Sequence, residues 1–91
     1  MESIMIEPAC YNLVNEQDPN NIIQLESTTF DEAMEEALYN LQWYVVNEGI
    51  ELYVGVNDAD PNDTYDLTSD SYEDAQYELI EHLGYFISTT N

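Results

Sequence analysis

The stretch that decides the fold is TFDEAMEEALYNLQWYVVNE, residues Thr29–Glu48. Its apolar side chains recur at three- and four-residue steps and form one helical stripe: Phe30, Met34, Ala37, Leu38, Leu41 and Val45. Outside the stripe, four acids fall within six residues, and like charges at helical spacing cost roughly 0.2–0.5 kcal/mol per pair. The pattern predicts a long helix that ends near Asn47–Gly49, with acids that do not serve helix stability.

Short β-type segments surround this helix. Ser27, Thr28 or Thr29 is the expected N-cap, and Gly49 suits a C-cap. The predicted fold class is α+β, a small antiparallel or mixed sheet with two amphipathic helices packed on it. The other predicted elements are strands near Ala9–Val14, Ile22–Leu25, 50–57, Thr64–Leu67 and Tyr85–Thr89, turns at Asn15–Asn21 and Asp58–Asp63, and a second helix from Ser71 to about Leu83.

The two predicted helices resemble each other at an offset of 42 residues. Both follow the order strand, serine-bearing turn, aromatic residue, two acids, alanine and helix; the aligned pairs include Ser27 with Ser69, Phe30 with Tyr72, Ala33 with Ala75, Glu36 with Glu78 and Leu41 with Leu83. Capped amphipathic helices look alike in general, so a true internal β-α pseudo-repeat and a chance likeness both stay open.

Charge is the most unusual property of the chain. Its 91 residues contain 20 Asp and Glu but no Lys or Arg, giving a formal net charge of −20. The apolar fraction of 44% is nevertheless sufficient for a core, which argues against disorder, and the length predicts a single acidic domain over residues 1–91. The one cysteine, Cys10, cannot form an internal disulfide, and the acidic N-terminus does not resemble a signal peptide. We therefore expect a soluble cytoplasmic protein that does not associate with membranes.

The residue types give little support to catalysis or metal binding. The loop Asp58–Asp63 begins like a calcium loop, but its sixth position is Asp63 instead of glycine and its twelfth is Ser69 instead of glutamate. His82 is the only histidine, and we expect it to interact with the C-terminus of the second helix. We predict no enzyme, no catalytic residue, no metal site and no cofactor.

The acids are the candidate functional residues. First-turn acids are favoured by the helix dipole. The acids deeper in a helix, Glu35, Glu36 and Glu78, get little such help, and those expected at helix C-termini, Glu48 and Glu81, are opposed by the dipole. The tyrosines are expected to be mostly core or half-buried sheet residues. The predicted partner-binding acids, as mimics of phosphates, are Asp31, Glu32, Glu35, Glu36, Glu48, Asp58, Asp60, Asp63, Asp70, Glu73, Asp74, Glu78 and Glu81.

The magnitude of the charge suggests what kind of partner these acids would bind. Twenty charges correspond to about 34 Å of duplex DNA, at about one charge per 1.7 Å. A compact globule of this length would be about 30 Å across, so its charge per length would be comparable to that of DNA. Such a protein cannot bind nucleic acid directly by charge, but it suits a DNA-binding protein. Whether it forms a homodimer stays open.

In size, in its lack of basic residues and in its α+β layout, the chain resembles the small acidic DNA-mimic proteins with which phages block host restriction enzymes. It looks most like the anti-restriction nuclease (Arn) proteins of T4-type phages, and more distantly like the ArdA antirestriction proteins. The resemblance implies competitive occupation of the DNA groove of an McrBC-like restriction endonuclease in the cytoplasm of an infected bacterium. The alternatives are an anti-CRISPR protein that blocks a Cas nucleic-acid channel, and a non-mimic acidic adaptor or halophilic-type domain.

Overall fold

A computed structural model describes residues 10–90 and confirms the α+β class. Predicted and observed elements agree closely at both ends of the described region, although Ala9, the first residue of the predicted N-terminal strand, lies outside it. The elements are β1 (Cys10–Asn15), β2 (Ile22–Gln24), α1 (Phe30–Leu41), β3 (Trp43–Gly49), β4 (Leu52–Asn57), β5 (Asp60–Asp66), α2 (Tyr72–His82) and β6 (Tyr85–Thr90).

Helix α1 is shorter than predicted, because it ends at Leu41 and residues Trp43–Gly49 form strand β3. The residue between them, Gln42, has a left-handed backbone with φ of 64°, and its amide donates to the carbonyls of Leu38 and Tyr39. This geometry closes the last helical turn. Aromatic and β-branched residues follow at once, and these favour a strand over a continued helix. The predicted helix end near Asn47–Gly49 was therefore wrong.

The predicted acidic loop Asp58–Asp63 is largely a strand, since β5 already begins at Asp60. Only Asp58 and Ala59 form the turn between β4 and β5. The Ala59 amide donates to Asn57 Oδ1 over 2.9 Å, which stabilises this tight connection. Pro61 is tolerated within β5 because β5 is an edge strand of its sheet.

The strands form two antiparallel three-stranded sheets, where one small sheet was predicted. One has the order β2-β1-β6 and the other β3-β4-β5. The reason is that the strand after each helix pairs with the hairpin of the other half of the chain. Strand β3 pairs with β4 through the two-residue connection 50–51, and β6 returns to pair with β1, so that Cys10 lies opposite Thr90.

The internal likeness is a structural repeat of two units, residues 10–49 and residues 52–90. Each unit is a β-hairpin, a helix and a closing strand, and the closing strands are exchanged reciprocally. Because each unit gives its closing strand to the other, the two units are related by an approximate two-fold rotation. Backbone hydrogen bonds repeat as well: the Asp58 amide donates to the Gln42 carbonyl, and the Glu16 amide donates to that of Gly84. The repeat that the sequence left open is therefore present in the fold.

One core joins both units. The two helices contact each other, and each also packs on strands of both sheets. The core cluster consists of the buried side chains Leu13, Leu25, Ala33, Met34, Ala37, Leu38, Tyr53, Leu67, Ala75, Leu79 and Ile80. No helix within residues 10–90 is long and apolar enough to span a membrane. The acids lie outside this core, on a surface that both units build.

Candidate partner-binding surface

Each helix begins at a side-chain cap that repeats in the other unit. The Glu32 amide donates to Thr29 Oγ1 over 3.3 Å, and the Asp74 amide donates to Ser71 Oγ over 3.2 Å. The N-cap of α1 is therefore Thr29, the last of its three predicted candidates. Asp31 and Glu32 lie in the first turn of α1, and Glu73 and Asp74 in that of α2, where the helix dipole favours them.

Two glutamates in the middle of the helices bind the loops that precede them. Glu36 Oε1 accepts from the amides of Glu26 and Ser27, at 2.9 and 3.0 Å, and from Ser27 Oγ at 2.8 Å. Glu78 Oε1 accepts in the same way from the amides of Thr68 and Ser69 and from Ser69 Oγ. We call Glu36 and Glu78 the loop-binding glutamates. The helix dipole does not favour acids at these positions, but both glutamates are needed there as acceptors for the loop amides.

These hydrogen bonds change how the two carboxyl groups titrate. Partial burial by itself would raise the pKa of Glu36, but the hydrogen bonds from Glu26 and Ser27 outweigh it, so the pKa is below its usual value. The same balance lowers the pKa of Glu78, with Thr68 and Ser69 as the donors. Both groups therefore stay ionised in the folded protein, as acceptors for two loops.

The other predicted acids are all exposed. Glu48 lies in strand β3 and not at a helix C-terminus, as the longer predicted helix had implied. The first unit carries Asp31, Glu32, Glu35 and Glu48, whereas the second unit carries Asp58, Asp60, Asp63, Asp70, Glu73, Asp74 and Glu81. Five further exposed acids were not predicted: Glu16, Asp18, Glu26, Glu51 and Asp66. The motif Asn-x-x-Asp-Pro-Asn, which occurs at residues 15–20 and again at 57–62, could have identified two of them.

The repeat places many acids in equivalent pairs: Glu16 with Asp58, Asp18 with Asp60, Asp31 with Glu73, Glu32 with Asp74, and Glu36 with Glu78. Two open depressions also correspond. One of about 630 Å³ is lined by Glu26, Glu32 and Glu36 among others, and one of about 380 Å³ by Asp74, Glu78 and Glu81 among others. The acidic surface is thus built twice around the same two-fold relation.

The molecule is more elongated than a compact globule of its length. Its radius of gyration is 14.8 Å and its extents are 55 × 32 × 19 Å, against the expected diameter of about 30 Å. A 55 Å length of duplex would carry roughly 32 phosphate charges. With 20 acids, the protein has nearly two thirds of that linear density, lower than the sequence had suggested but of the same order.

Several tyrosines are exposed, contrary to the expectation that most would be core or half-buried. Tyr39 is 83% exposed, and Tyr44, Tyr72 and Tyr77 are also exposed, whereas Tyr53 is buried. Three of these exposed tyrosines, Tyr39, Tyr44 and Tyr72, line a groove between the helices and strand β3, which we call the aromatic groove. It has a volume of about 200 Å³ and is lined by Glu35, Leu38, Tyr39, Trp43, Tyr44, Val45, Tyr72 and Gln76.

The only histidine, His82, stacks on an aromatic ring of strand β5. The His82 ring stacks on Tyr65, with ring centroids 3.5 Å apart and an angle of 11° between the planes. This contact ties the last turn of α2 to strand β5. Across the part of the chain that the structure describes, no group of three or more His, Cys, Asp and Glu side chains is arranged to hold a metal ion.

These features define a class: an acidic α+β protein made of two strand-exchanged β-hairpin–α–β units. Comparison with known proteins does not place it further, because no protein-family model, no curated protein and no solved structure matches the chain.

Proposed function

We propose that this protein is a DNA-mimic inhibitor, which occupies the DNA-binding groove of a basic nucleic-acid-binding protein. The observation that carries the proposal is the complete one-sided charge: no Lys or Arg occurs, and within residues 10–90 every acid except the two loop-binding glutamates is exposed. An ordinary domain surface mixes both signs, which limits long-range fields. A surface of one sign instead steers partners of the opposite sign towards it.

The proposed partner is a host restriction endonuclease of the McrBC kind, met in the cytoplasm of an infected bacterium. Such an enzyme presents a basic groove that has to accept a strongly anionic duplex. The elongated shape and the repeated acidic surface suit a groove of this kind, because they spread carboxylates along the length of the protein instead of concentrating them at one site.

The test is competition measured against salt. Binding of the purified protein to the endonuclease is measured by calorimetry at about 50 and 500 mM NaCl, and DNA cleavage is followed in parallel. We expect inhibition that excess duplex DNA relieves and that weakens by orders of magnitude at the higher salt, as for phosphate contacts. Binding that does not respond to salt, or that leaves DNA binding by the enzyme unchanged, would contradict the proposal.

A matched pair of variants identifies the contributing surface. Asp31→Asn with Glu73→Gln neutralises one equivalent pair at the helix starts, and Asp18→Asn with Asp60→Asn neutralises another at the hairpin turns. Both variants remove two charges, so a difference between them reports position rather than net charge. The pair that contacts the partner should lower the slope of log K against log salt by about one per lost contact.

A further inference from the structure

The aromatic groove differs from its counterpart in the second unit, although the two occupy equivalent positions. The counterpart groove has a volume of about 240 Å³ and is lined by Phe30, Met34, Glu73, Asp74, Tyr77 and Ile87. Gln76 of the aromatic groove is equivalent to Met34 of the counterpart, so an amide replaces an apolar side chain. Likewise, Glu35 of the aromatic groove is equivalent to Tyr77 of the counterpart, so a carboxylate replaces an aromatic ring. At these two positions the aromatic groove therefore has polar groups where its counterpart has an apolar or an aromatic side chain.

Gln76 is the buried group that these replacements leave without an explanation. It is 3% exposed, and its amide has no hydrogen-bond partner anywhere in residues 10–90. No fully enclosed side-chain nitrogen or oxygen of the described residues lacks a partner, so the small exposed part of Gln76 includes its amide atoms. Gln76 lines the groove, so a group bound there can reach its accessible amide atoms. An accessible amide without a protein partner is free to hydrogen-bond to water or to a ligand group in the groove.

The rim of the groove suits a planar cation. Tyr39, Tyr44 and Tyr72 are exposed there, beside the half-buried Trp43. Glu35 is close enough to Tyr72 to act on its titration: burial raises the pKa of the Tyr72 phenol, and the negative charge of Glu35 raises it further. Aromatic faces attract cations through their quadrupole, and a guanidinium stacks on them better than an ammonium does.

We infer that the aromatic groove binds the guanidinium of an arginine side chain presented by the protein's partner. Glu35 accepts two of its N–H groups, Gln76 Oε1 accepts a further one from the groove floor, and the rings of Trp43 and Tyr72 lie against its faces. The inference rests on the proposed function for the kind of partner, since groove-lining arginines are abundant in proteins that bind DNA. It assigns one specific contact within an otherwise diffuse acidic surface.

The groove can be tested without the partner, because Trp43 is the only tryptophan in the chain. Its fluorescence is titrated with a blocked Gly-Gly-X-Gly-Gly peptide in which X is arginine, lysine or the neutral isostere citrulline, at about 500 mM NaCl to screen diffuse attraction. The side-chain amide resonances of Gln76 are followed in parallel. We expect saturable changes at millimolar arginine peptide, several-fold weaker binding of lysine, and none of citrulline.

Matched variants separate the groove from the general charge. Glu35→Gln is compared with Glu81→Gln, which also removes one exposed helical charge. Gln76→Met, which copies Met34 of the counterpart groove, tests the contribution of the groove floor. Tyr72→Ala is compared with Phe30→Ala at the equivalent position. The groove variants should each weaken the arginine peptide by roughly tenfold, as for a buried hot-spot contact, whereas Glu81→Gln and Phe30→Ala should leave its affinity unchanged. Circular dichroism checks that each variant is folded.

The outcomes distinguish this inference from the proposed function. If a basic DNA-binding protein binds with the expected salt dependence but does not discriminate Gln76→Met from the native chain, the groove assignment is wrong and the mimicry stands. If the arginine peptide binds at the groove but no DNA-binding protein does, the mimicry is wrong and the guanidinium site stands. Equal binding of arginine and citrulline peptides would overturn the groove assignment directly.

Discussion

Leu79 packs directly onto the backbone of Gly55, so that a Cβ atom at position 55 would lie 2.7 Å from Leu79 Cδ1 and 2.9 Å from Cδ2. The equivalent positions in the first unit are Leu13 and Ala37, both fully buried. The large side chain thus comes from the strand in one unit and from the helix in the other. The two halves keep the same backbone geometry by exchanging which element fills the space.

This relationship predicts that Gly55→Ala destabilises the protein. The new methyl group has to displace the side chain of Leu79, which is fully buried and can shift only within the core. Overpacking of this kind costs about 1–3 kcal/mol. Chemical denaturation measures it, with Gly49→Ala as a control, because a Cβ at Gly49 would meet nothing closer than 3.8 Å.

A double substitution tests the exchange itself. Gly55→Leu and Leu79→Ala are each expected to destabilise strongly, the first by overpacking and the second by a cavity worth about 2–5 kcal/mol. Together they recreate the Leu13–Ala37 arrangement, so we expect a favourable coupling of about 0.5–3 kcal/mol in a double-mutant cycle. Additive losses would mean that the two units are not interchangeable at this position.

Glu36→Gln should lower the free energy of unfolding by about 1–3 kcal/mol, because glutamine keeps one acceptor oxygen but loses the negative charge that strengthens these bonds, and its NH₂ group replaces the oxygen that accepts from the Glu26 amide. Glu78→Gln should behave alike, since its contacts are the same. The control is Glu81→Gln in the last turn of α2, where removing a charge that the helix dipole opposes should be neutral or slightly stabilising. Equal effects at all three positions would indicate charge alone.

The contribution of Glu36 should also depend on pH. Its pKa in the folded protein lies below the ordinary value of 4.5. The stabilisation is therefore fully present above the unfolded-state pKa and is lost as the pH falls through the folded-state pKa. The difference in unfolding free energy between the native chain and Glu36→Gln, measured from pH 7 downwards, should be constant near neutrality and shrink below about pH 4.5. Using the difference cancels the general relief of charge repulsion in acid.

Gln42→Gly should stabilise the protein by about 0.5–1 kcal/mol, because a left-handed backbone is strained for any residue with a Cβ. The second unit supports this, since the equivalent residue is Gly84 with φ of 87°. The reverse change, Gly84→Gln, should destabilise by a similar amount, and a Cβ there would meet no neighbouring atom within 4 Å, so the effect would be one of backbone alone. Thermal unfolding of both variants measures the two shifts.

The sequence by itself determined the local elements and the charge. The apolar stripe from Phe30 to Leu41, the cap residues and the aromatic and β-branched segments are local patterns, and they formed the elements that they predict. The exceptions are the residues beyond Leu41 and the start of β5, which occupies most of the predicted acidic loop. Beyond Leu41, Gln42 ends the helix through a left-handed turn that side-chain periodicity does not reveal. Exposure of most acids followed from their number alone, because a core of this size cannot bury unpaired charge.

Only the tertiary structure decided how the two halves combine. Pairing of β6 with β1 joins residues far apart in the chain, such as Tyr11 and Thr89, so no local signal predicts it. Because β3 instead pairs with β4 across the short connection 50–51, the strands divide into two sheets. The fold also brings Glu36 and Glu78 onto the loops that precede their helices and places Gln76 in the lining of the aromatic groove. The sequence determines how many acids the chain has and which face of a helix or strand each occupies. Packing between distant residues determines which of those acids remain available to a partner.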